Sequence, residues 1–293
     1  MKQALTLLVA TMLASTAFSA AGPAIDSNRS ESAGVKIQLI RNATMKLTYG
    51  GKTFLTDPML SQKGEIRSFA GIASNPTVEL PIASADILSG IDAVLVSHLH
   101  PDHYHRVSEQ AVLLPKPLFC QPADAAAISK DGFGQVIPVD STVEWEKITI
   151  TRVGGKHGSD AILEKMGAVS GFVFQAPNLP TVYWAGDTVW CDEVAATIKS
   201  FKPQIIITHS GGATIPGFAP ILMNAQQTIK TALSSPESTI VAIHLEALDH
   251  CTVGRKELRT AATAAGIDQA RLVIPQDGET VTLAAGEFSA PAK

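Results

Sequence analysis

The sequence offers little with which to hold a polyanion. It has no Lys/Arg-rich run, its formal net charge is −4, and charged residues make up only 17% of its 293 positions. Binding to nucleic acid or an anionic membrane surface calls for a concentrated basic patch, so a nuclease or nucleic-acid-binding role is set aside. Cysteine is also scarce. Cys120, Cys191 and Cys251 stand far apart, an odd count without the spacing of a disulfide framework. Each is expected to be a lone thiol, although export would permit one bridge. Aromatics are few at 5%, against 45% hydrophobic residues, which suits a globular core built mostly of aliphatic side chains. After the first residues no apolar run is long enough to span a bilayer.

The one long apolar run lies at the start. Met1 and Lys2 give a short positive region, residues 5–13 are almost wholly apolar, and small residues fill 14–21. This is the layout of a secretory signal peptide, with cleavage expected after Ser19 or Ala21. The chain is therefore expected to be exported, to the periplasm or beyond, with no stable membrane insertion once the leader (1–21) is removed. Residues 22–34 read as a flexible lead, 35–285 as one domain and 286–293 as a tail.

Within that domain, apolar alternation and turn residues predict strands at 35–40, 44–49 and 52–56, the last two joined by a Gly50-Gly51 hairpin turn. A long loop follows at 61–83, then a short helix at 84–88. Strands are expected at 92–97, 118–120, 135–139, 142–145, 148–153, 171–175, 181–185, 204–208, 239–243, 272–275 and 279–283. Helices are expected at 123–129, 193–200, 224–233 and 254–265. No linker and no internal repeat is visible. The implied class is α/β, in the α+β sense: two mixed sheets packed together with helices outside.

The chemistry concentrates at the end of the 92–97 strand. His98-Leu99-His100-Pro101-Asp102-His103 puts three of the eight histidines and a carboxylate within six residues. Neutral imidazole and carboxylate are good ligands for Zn²⁺ and similar divalent ions. One loop cannot fill two coordination spheres, and further candidates end or follow other apolar strands: His157 in Val-Gly-Gly-Lys-His-Gly, Asp187 in Trp-Ala-Gly-Asp-Thr and His244 in Ile-Val-Ala-Ile-His. Taken singly, each is more often a satisfied structural residue than a ligand. Together they form a coherent set.

These residues resemble, in order along the chain, the pattern of the metallo-β-lactamase superfamily. The resemblance runs from Phe54-Leu55-Thr56-Asp57-Pro58 through the cluster to His157, Gly186-Asp187 and His244. It is nearest to the branch of ascorbate-6-phosphate lactonases and N-acyl-phosphatidylethanolamine phospholipase D enzymes. It implies a four-layer αββα sandwich with a dinuclear site along one edge. His98, His100 and His157 would hold one metal, Asp102, His103 and His244 the other, and Asp187 would bridge. Asp57 would orient a ligating histidine or serve as an ordinary strand-end aspartate. The ions are expected to be Zn²⁺, with Mn²⁺ or Fe as alternatives.

Such a site activates water for a metal-dependent hydrolase acting on a small ester, lactone or phosphoester. Asp102 would orient the nucleophile while ligating. His209, which ends another apolar strand, is a candidate pocket residue that donates to a substrate oxyanion. His250 and Cys251 are open as site residues. Tyr104 and His105 read as the cluster's flank, Trp190 as a pocket wall or a helix start, and Gly211-Gly212 as a place of close substrate approach. Specificity would come from 61–83, 156–168 and 210–223. β-Lactamase-type amide hydrolysis is an alternative, disfavoured because Cys191 stands four residues after Asp187 and not at a matching ligand position. A non-enzymatic exported metal-binding or sensing protein is another, disfavoured by the complete ligand set. The oligomeric state is left open.

Overall fold

The computed structural model describes residues 34–159 and 162–284. The leader, nearly all of the lead and the tail lie outside these residues. Fourteen strands form two seven-stranded sheets among the described residues. The first half of the chain supplies β1 (Gly34–Arg41), β2 (Thr44–Tyr49), β3 (Lys52–Thr56), β4 (Ala93–Val96), β5 (Pro117–Cys120) and β6 (Gln135–Pro138). The second half supplies β7 (Thr142–Trp145), β8 (Ile148–Val153), β9 (Gly171–Gln175), β10 (Val182–Trp184), β11 (Ile205–His209), β12 (Thr239–Ile243), β13 (Leu272–Val273) and β14 (Thr280–Ala284).

The order in one sheet is β14-β1-β2-β3-β4-β5-β6, and in the other β13-β12-β11-β10-β9-β8-β7. Each sheet joins three antiparallel pairings to three parallel ones. This is a topological repeat that the sequence does not display. One strand crosses over: β14 leaves the second half and pairs with β1.

Strand periodicity sorts the core into layers, because successive side chains face opposite sides of a sheet. On β4, Ala93 and Leu95 face the other sheet while Val94 and Val96 face outward. On β11, Ile205 and Ile207 point inward and Ile206 outward. Between the sheets, Phe54 meets Trp145 and Phe174 edge-on, with ring centroids 5.3 and 5.4 Å apart. Outside the first sheet lie α1 (Ser84–Leu88) and α2 (Pro122–Ile128), whose Ile87, Leu88 and Ile128 pack on β4 and β5. A short helix, α3 (Leu163–Met166), precedes β9. Outside the second sheet lie α4 (Asp192–Phe201), α5 (Ala225–Ser234) and α6 (Arg255–Ala264), held by Val194, Ala232 and Leu258. The architecture is the expected αββα sandwich. The Gly50-Gly51 turn is also as expected, with φ of 60° and 76°. Among the described residues no helix is long and apolar enough to cross a membrane.

The topology positions the site. Strands β3 and β4 run parallel, so Asp57 and the His98 cluster leave the first sheet at the same edge. Strands β10, β11 and β12 are parallel, and β8 points the same way because two antiparallel pairings separate it from β10. His157, Asp187, His209 and His244 therefore all emerge at the C-terminal ends of strands, where ligands commonly bind in sheets of this kind. The 61–83 segment has no long element of its own, but it is tied down. Buried Arg41 donates to the carbonyl oxygens of Ser61 at 2.7 Å and Val78 at 3.0 Å. Burial lowers its pKa to about 10, against the pull of Asp277 and Glu79.

Candidate metal centre

The cluster is shaped by a tight turn. The N–H groups of His103 and Tyr104 both donate to the His100 carbonyl at 2.9 Å, which folds His103 back over the strand end. Asn42, left-handed at φ 59° in the β1–β2 turn, donates its amide to the Asp102 carbonyl at 2.9 Å. The carbonyl of Asn42 accepts from His244 N at 3.0 Å. His244 and Asp57 are themselves left-handed, at φ 60° and 38°. Such conformations are uncommon for residues with a side chain, though Asn, Asp and His tolerate them best. They turn the chain sharply as β12 and β3 end.

Hydrogen bonds around the rim fix the outer nitrogen of three of the imidazoles. Ser97 Oγ donates to Asp57 Oδ2 at 2.7 Å, so at 3.0 Å it accepts from His98 Nδ1. His157 Nδ1 donates to the Ile221 carbonyl at 2.9 Å. His103 Nδ1 donates to Asp57 Oδ2 at 2.7 Å. In all three Nε2 is the ring nitrogen left facing inward. That is the arrangement a metal-ligating histidine needs, with its other nitrogen held by a carboxylate or carbonyl. Asp57 is thus the residue that orients His103, and its Oδ1 also accepts from Ser97 N at 2.7 Å.

The inward atoms form two groups on either side of Asp187. In one, His98 Nε2 lies 2.9 Å from His100 Nδ1, and His157 Nε2 lies 3.3 Å from it. In the other, His103 Nε2 and His244 Nε2 are 3.3 Å apart, and Asp102 Oδ2 is 3.4 Å from each. Two nitrogens bound tetrahedrally to one Zn²⁺ stand about 3.3 Å apart, so these spacings suit a shared ion. Asp187, 2% exposed, lies between the groups. Its Oδ2 is 3.0 Å from His103 Nε2, 3.4 Å from His157 Nε2 and 3.9 Å from His98 Nε2. Its Oδ1 is 3.8 Å from His244 Nε2. The donor set, two carboxylates and five imidazoles with a ring nitrogen turned inward, fits divalent metal.

The electrostatics agree. Burial lowers the pKa of His98 well below the usual value and that of His157 to about 4, despite the attraction of Asp187. Burial acts against ionised Asp102 and Asp187 too, but their histidine neighbours outweigh it and hold both well below the usual carboxylate range. At His103, burial is outweighed by Asp187, Asp102 and Asp57, which raise its pKa well above normal. At His244, Asp187 and the hydrogen bond to Asp102 raise it to about 10 against the same penalty. Without metal, His103 and His244 therefore hold the protons that offset the two carboxylates.

All seven expected ligands come together, whereas other expectations change. His209 does stand beside the site, near enough for a ring nitrogen to be grouped with the donors of His103, Asp187 and His244. However, Trp184 Nε1 donates to His209 Nε2 at 3.0 Å, so Nδ1 carries the proton and donates to Asp187 Oδ1 at 2.5 Å. Both ring nitrogens are committed and the ring is fully buried, which leaves no N–H for a substrate oxyanion. His209 holds Asp187 in place instead. Gly211 is needed for packing and not for substrate. A Cβ there would stand 2.2 Å from the His244 carbonyl and 2.8 Å from Cys251 Sγ. Trp190 lies under Lys230, 5.0 Å from ring centroid to ammonium, on the helix side. Tyr104 donates to Asp131 and His105 pairs with Ser61 Oγ at 2.7 Å, so both are flank. The three cysteines are free. Cys251 Sγ sits 3.8 Å from His244 Nδ1.

A cavity of about 400 Å³ opens over the donors. Its floor includes His100, Asp102, His157 and Asp187. Its walls come from all three expected specificity segments: Arg67, Ser68 and Phe69, then Met166, then Ile215 and Ile221. His250 completes it. Sequence reasoning missed Arg41, Asn42, Ser97, Trp184 and Asp249. Only Asn42 had a local signal, as an asparagine between two predicted strands.

Comparison with known proteins agrees with this geometry. The family model described as a beta-lactamase superfamily domain matches residues 52–245. The UPF0173 protein YddR of Bacillus subtilis is 35% identical over 85% of this chain and 100% of its own length. The chain belongs to the metallo-β-lactamase superfamily. Within it, the chain falls in the UPF0173 family, to which relatives named metal-dependent hydrolases in Methanocaldococcus jannaschii and Cupriavidus necator also belong. Among solved structures, a possible metal-dependent hydrolase from Veillonella parvula superposes with a TM-score of 0.82 at 35% identity, covering 86% of this chain and all of that one. An isothiocyanate hydrolase from Delia radicum gut bacteria gives 0.79 at 37% identity, over 84% and 98%.

Two measurements test the UPF0173 site. Asp57→Asn places an amide against His103 Nδ1–H and should weaken metal binding by about 10–100-fold with the fold retained. Equilibrium dialysis with circular dichroism reads both, and unchanged affinity would remove Asp57 from the site. Metal uptake should also displace the protons on His103 and His244, because only neutral imidazole ligates. Zn²⁺ titration near neutral pH, in buffers of different ionisation enthalpy, should show about one proton or more released per chain. Binding should tighten as pH rises.

Proposed function

We propose that this chain is an exported dinuclear metallo-hydrolase that directs an activated water at the electrophilic centre of a small, largely apolar molecule. The observation that carries this reading is the convergence of imidazole and carboxylate donor atoms on both sides of Asp187, at the floor of a cavity. His98, His100 and His157 would hold one ion, Asp102, His103 and His244 the other, and Asp187 would bridge. Zn²⁺ suits such ligands best, with Mn²⁺ or Fe as alternatives. Ions held there supply a water acidified toward neutral pH and a Lewis acid for the electrophile.

The chain's own residues supply orientation. Asp102 lines the cavity with its carboxyl ionised and accepts a hydrogen bond from the attacking water. His209 and Trp184 keep Asp187 in one rotamer. Asp57 does the same for His103. Phe69, Met166, Ile215 and Ile221 give the cavity an apolar side that favours an apolar tail.

Small esters and lactones fit these demands. So does an isothiocyanate, a reading favoured by the isothiocyanate hydrolase that is 37% identical to this chain. In that case one water adds to R–N=C=S. The carbon gains oxygen, the nitrogen takes the protons, and breakage of the C–N bond releases an amine and carbonyl sulfide. Phosphoesters and β-lactams are the comparison substrates.

Zn²⁺-loaded protein is expected to turn over at least one of benzyl isothiocyanate, an aryl ester or a simple lactone. Asp187→Ala should lower that rate by at least about a thousandfold, in line with the loss of a preorganised electrostatic centre. Turnover of bis(p-nitrophenyl) phosphate or nitrocefin alone would redirect the substrate class, and none at all would leave a metal-binding protein. Export predicts a mature N-terminus at Ala20 or Gly22, read by intact mass of protein from the producing cell. A retained Met1-Lys2 would overturn it.

A further inference from the structure

His250 belongs to neither donor group, yet it is 6% exposed and lines the cavity above Asp102 and Asp187. Its Nδ1 is buried without a hydrogen-bond partner. No described side chain pairs with Nε2, and the ring packs edge-on against Phe69, at 5.0 Å and 77°. A buried N–H without an acceptor is rarer than a buried lone pair without a donor. The favoured tautomer therefore leaves the lone pair on Nδ1 and puts the proton on Nε2, the nitrogen free to meet something in the cavity.

The backbone that carries this ring is anchored on both sides. Its own carbonyl accepts from Thr214 N at 2.9 Å. The preceding residue, Asp249, anchors the adjoining wall. Its carboxylate accepts from the backbone N–H groups of Phe69 at 3.0 Å, Ala70 at 3.2 Å, Ile72 at 3.2 Å and Ala73 at 3.3 Å, from Asn75 Nδ2 at 2.9 Å and from Ser68 Oγ. Asp249 N in turn donates to Asn75 Oδ1 at 2.8 Å. One aspartate thus fixes Phe69 in the wall while the next residue presents an imidazole beside it. A polar atom placed on packed, rigid neighbours is the pattern of a recognition group, which pays its ordering cost before the ligand arrives.

We infer that His250 is a substrate-binding residue. It donates Nε2–H to an acceptor atom on the substrate's head group while Phe69 and Ile215 hold an apolar or aromatic tail. This deepens the proposed function and rests on it. It defines the ligand as a small molecule with a nitrogen, oxygen or sulfur acceptor next to the electrophilic centre and an apolar substituent beyond it.

The test separates the donor from the ring. Glutamine places an amide N–H near the position of histidine Nε2, whereas phenylalanine keeps the edge contact with Phe69 and has no donor. In Zn²⁺-loaded protein, H250F should lower kcat/KM by about tenfold or more, the scale of one lost hydrogen bond. H250Q should stay within about threefold of wild type. Metal content should be unchanged in both. Affinity for N-benzylacetamide, an unreactive amide with an oxygen acceptor and a benzyl tail, should fall in parallel in H250F and be kept in H250Q. Nitrogen-15 imidazole spectra of the Zn²⁺-loaded wild type should show His250 protonated on Nε2. The inference is overturned by an Nδ1–H tautomer, by an H250F that matches wild type in N-benzylacetamide binding, or by an H250Q as impaired as H250F. A wild type that turns over nothing overturns the enzymatic reading. The tautomer and the amide affinity then decide the inference alone.

Discussion

Taking a carboxylate out of water costs several kcal/mol unless positive charge or strong hydrogen bonds meet it, and the fold takes Asp187 out of water almost completely. Five histidines converge on its two oxygens: His98, His103 and His157 on Oδ2, His209 and His244 on Oδ1. Four carry inward lone pairs or exchangeable protons, and one, His209, is committed as a donor by Trp184. Much of the surrounding structure follows from satisfying this buried charge. The parallel strands bring their C-terminal ends to one edge, left-handed residues turn sharply there, and Asp57, Ser97 and the Ile221 carbonyl set the tautomers. The same arrangement that neutralises Asp187 makes the site suited to divalent metal, because an ion can take the place of the protons.

The histidine cluster and its partners were legible in the sequence because each sits where an apolar strand stops, and hydrophobic periodicity marks such places well. The bounds of β2, β3, β7, β8, β9 and β12 match expectation to the residue for the same reason. Roles that depend on distant partners were not legible. The function of His209 changes because Trp184, on the neighbouring strand, claims one of its nitrogens. Gly211 turned out to make room for the His244 carbonyl, not for a ligand. Nothing local announces that Arg41 and Asp249 anchor the 61–83 segment, since their partners lie tens to hundreds of residues away. The return of β14 to β1 is equally silent in the sequence: 279–283 reads as a strand but not as whose neighbour.

Specificity and chemistry are separated in space. The strand ends supply the donors, while the cavity walls come from irregular segments, which can change without disturbing the sandwich. What keeps those segments in shape is a small number of buried or half-buried polar residues acting on backbone groups. Asp249 is the clearest case, with its carboxyl held well below the usual range because hydrogen bonds from Ser68, Asn75 and the loop N–H groups outweigh its partial burial. The Thr44 hydroxyl plays a similar part beneath the floor, donating to the Asp57 carbonyl at 2.6 Å.

The exchange of β14 has a mechanical meaning. Because the second half of the chain lends a strand to the first sheet, the two sheets cannot part at their interface without also tearing a β-ladder. The donors at one edge add a second tie, since His98, His100, Asp102 and His103 come from one half and His157, Asp187 and His244 from the other. An ion bound between them would add its binding free energy to the cohesion of the whole. A molecule laced in this way loses its halves together: it should unfold as one cooperative unit, although its two sheets repeat the same plan and each looks, in outline, like half of a smaller protein.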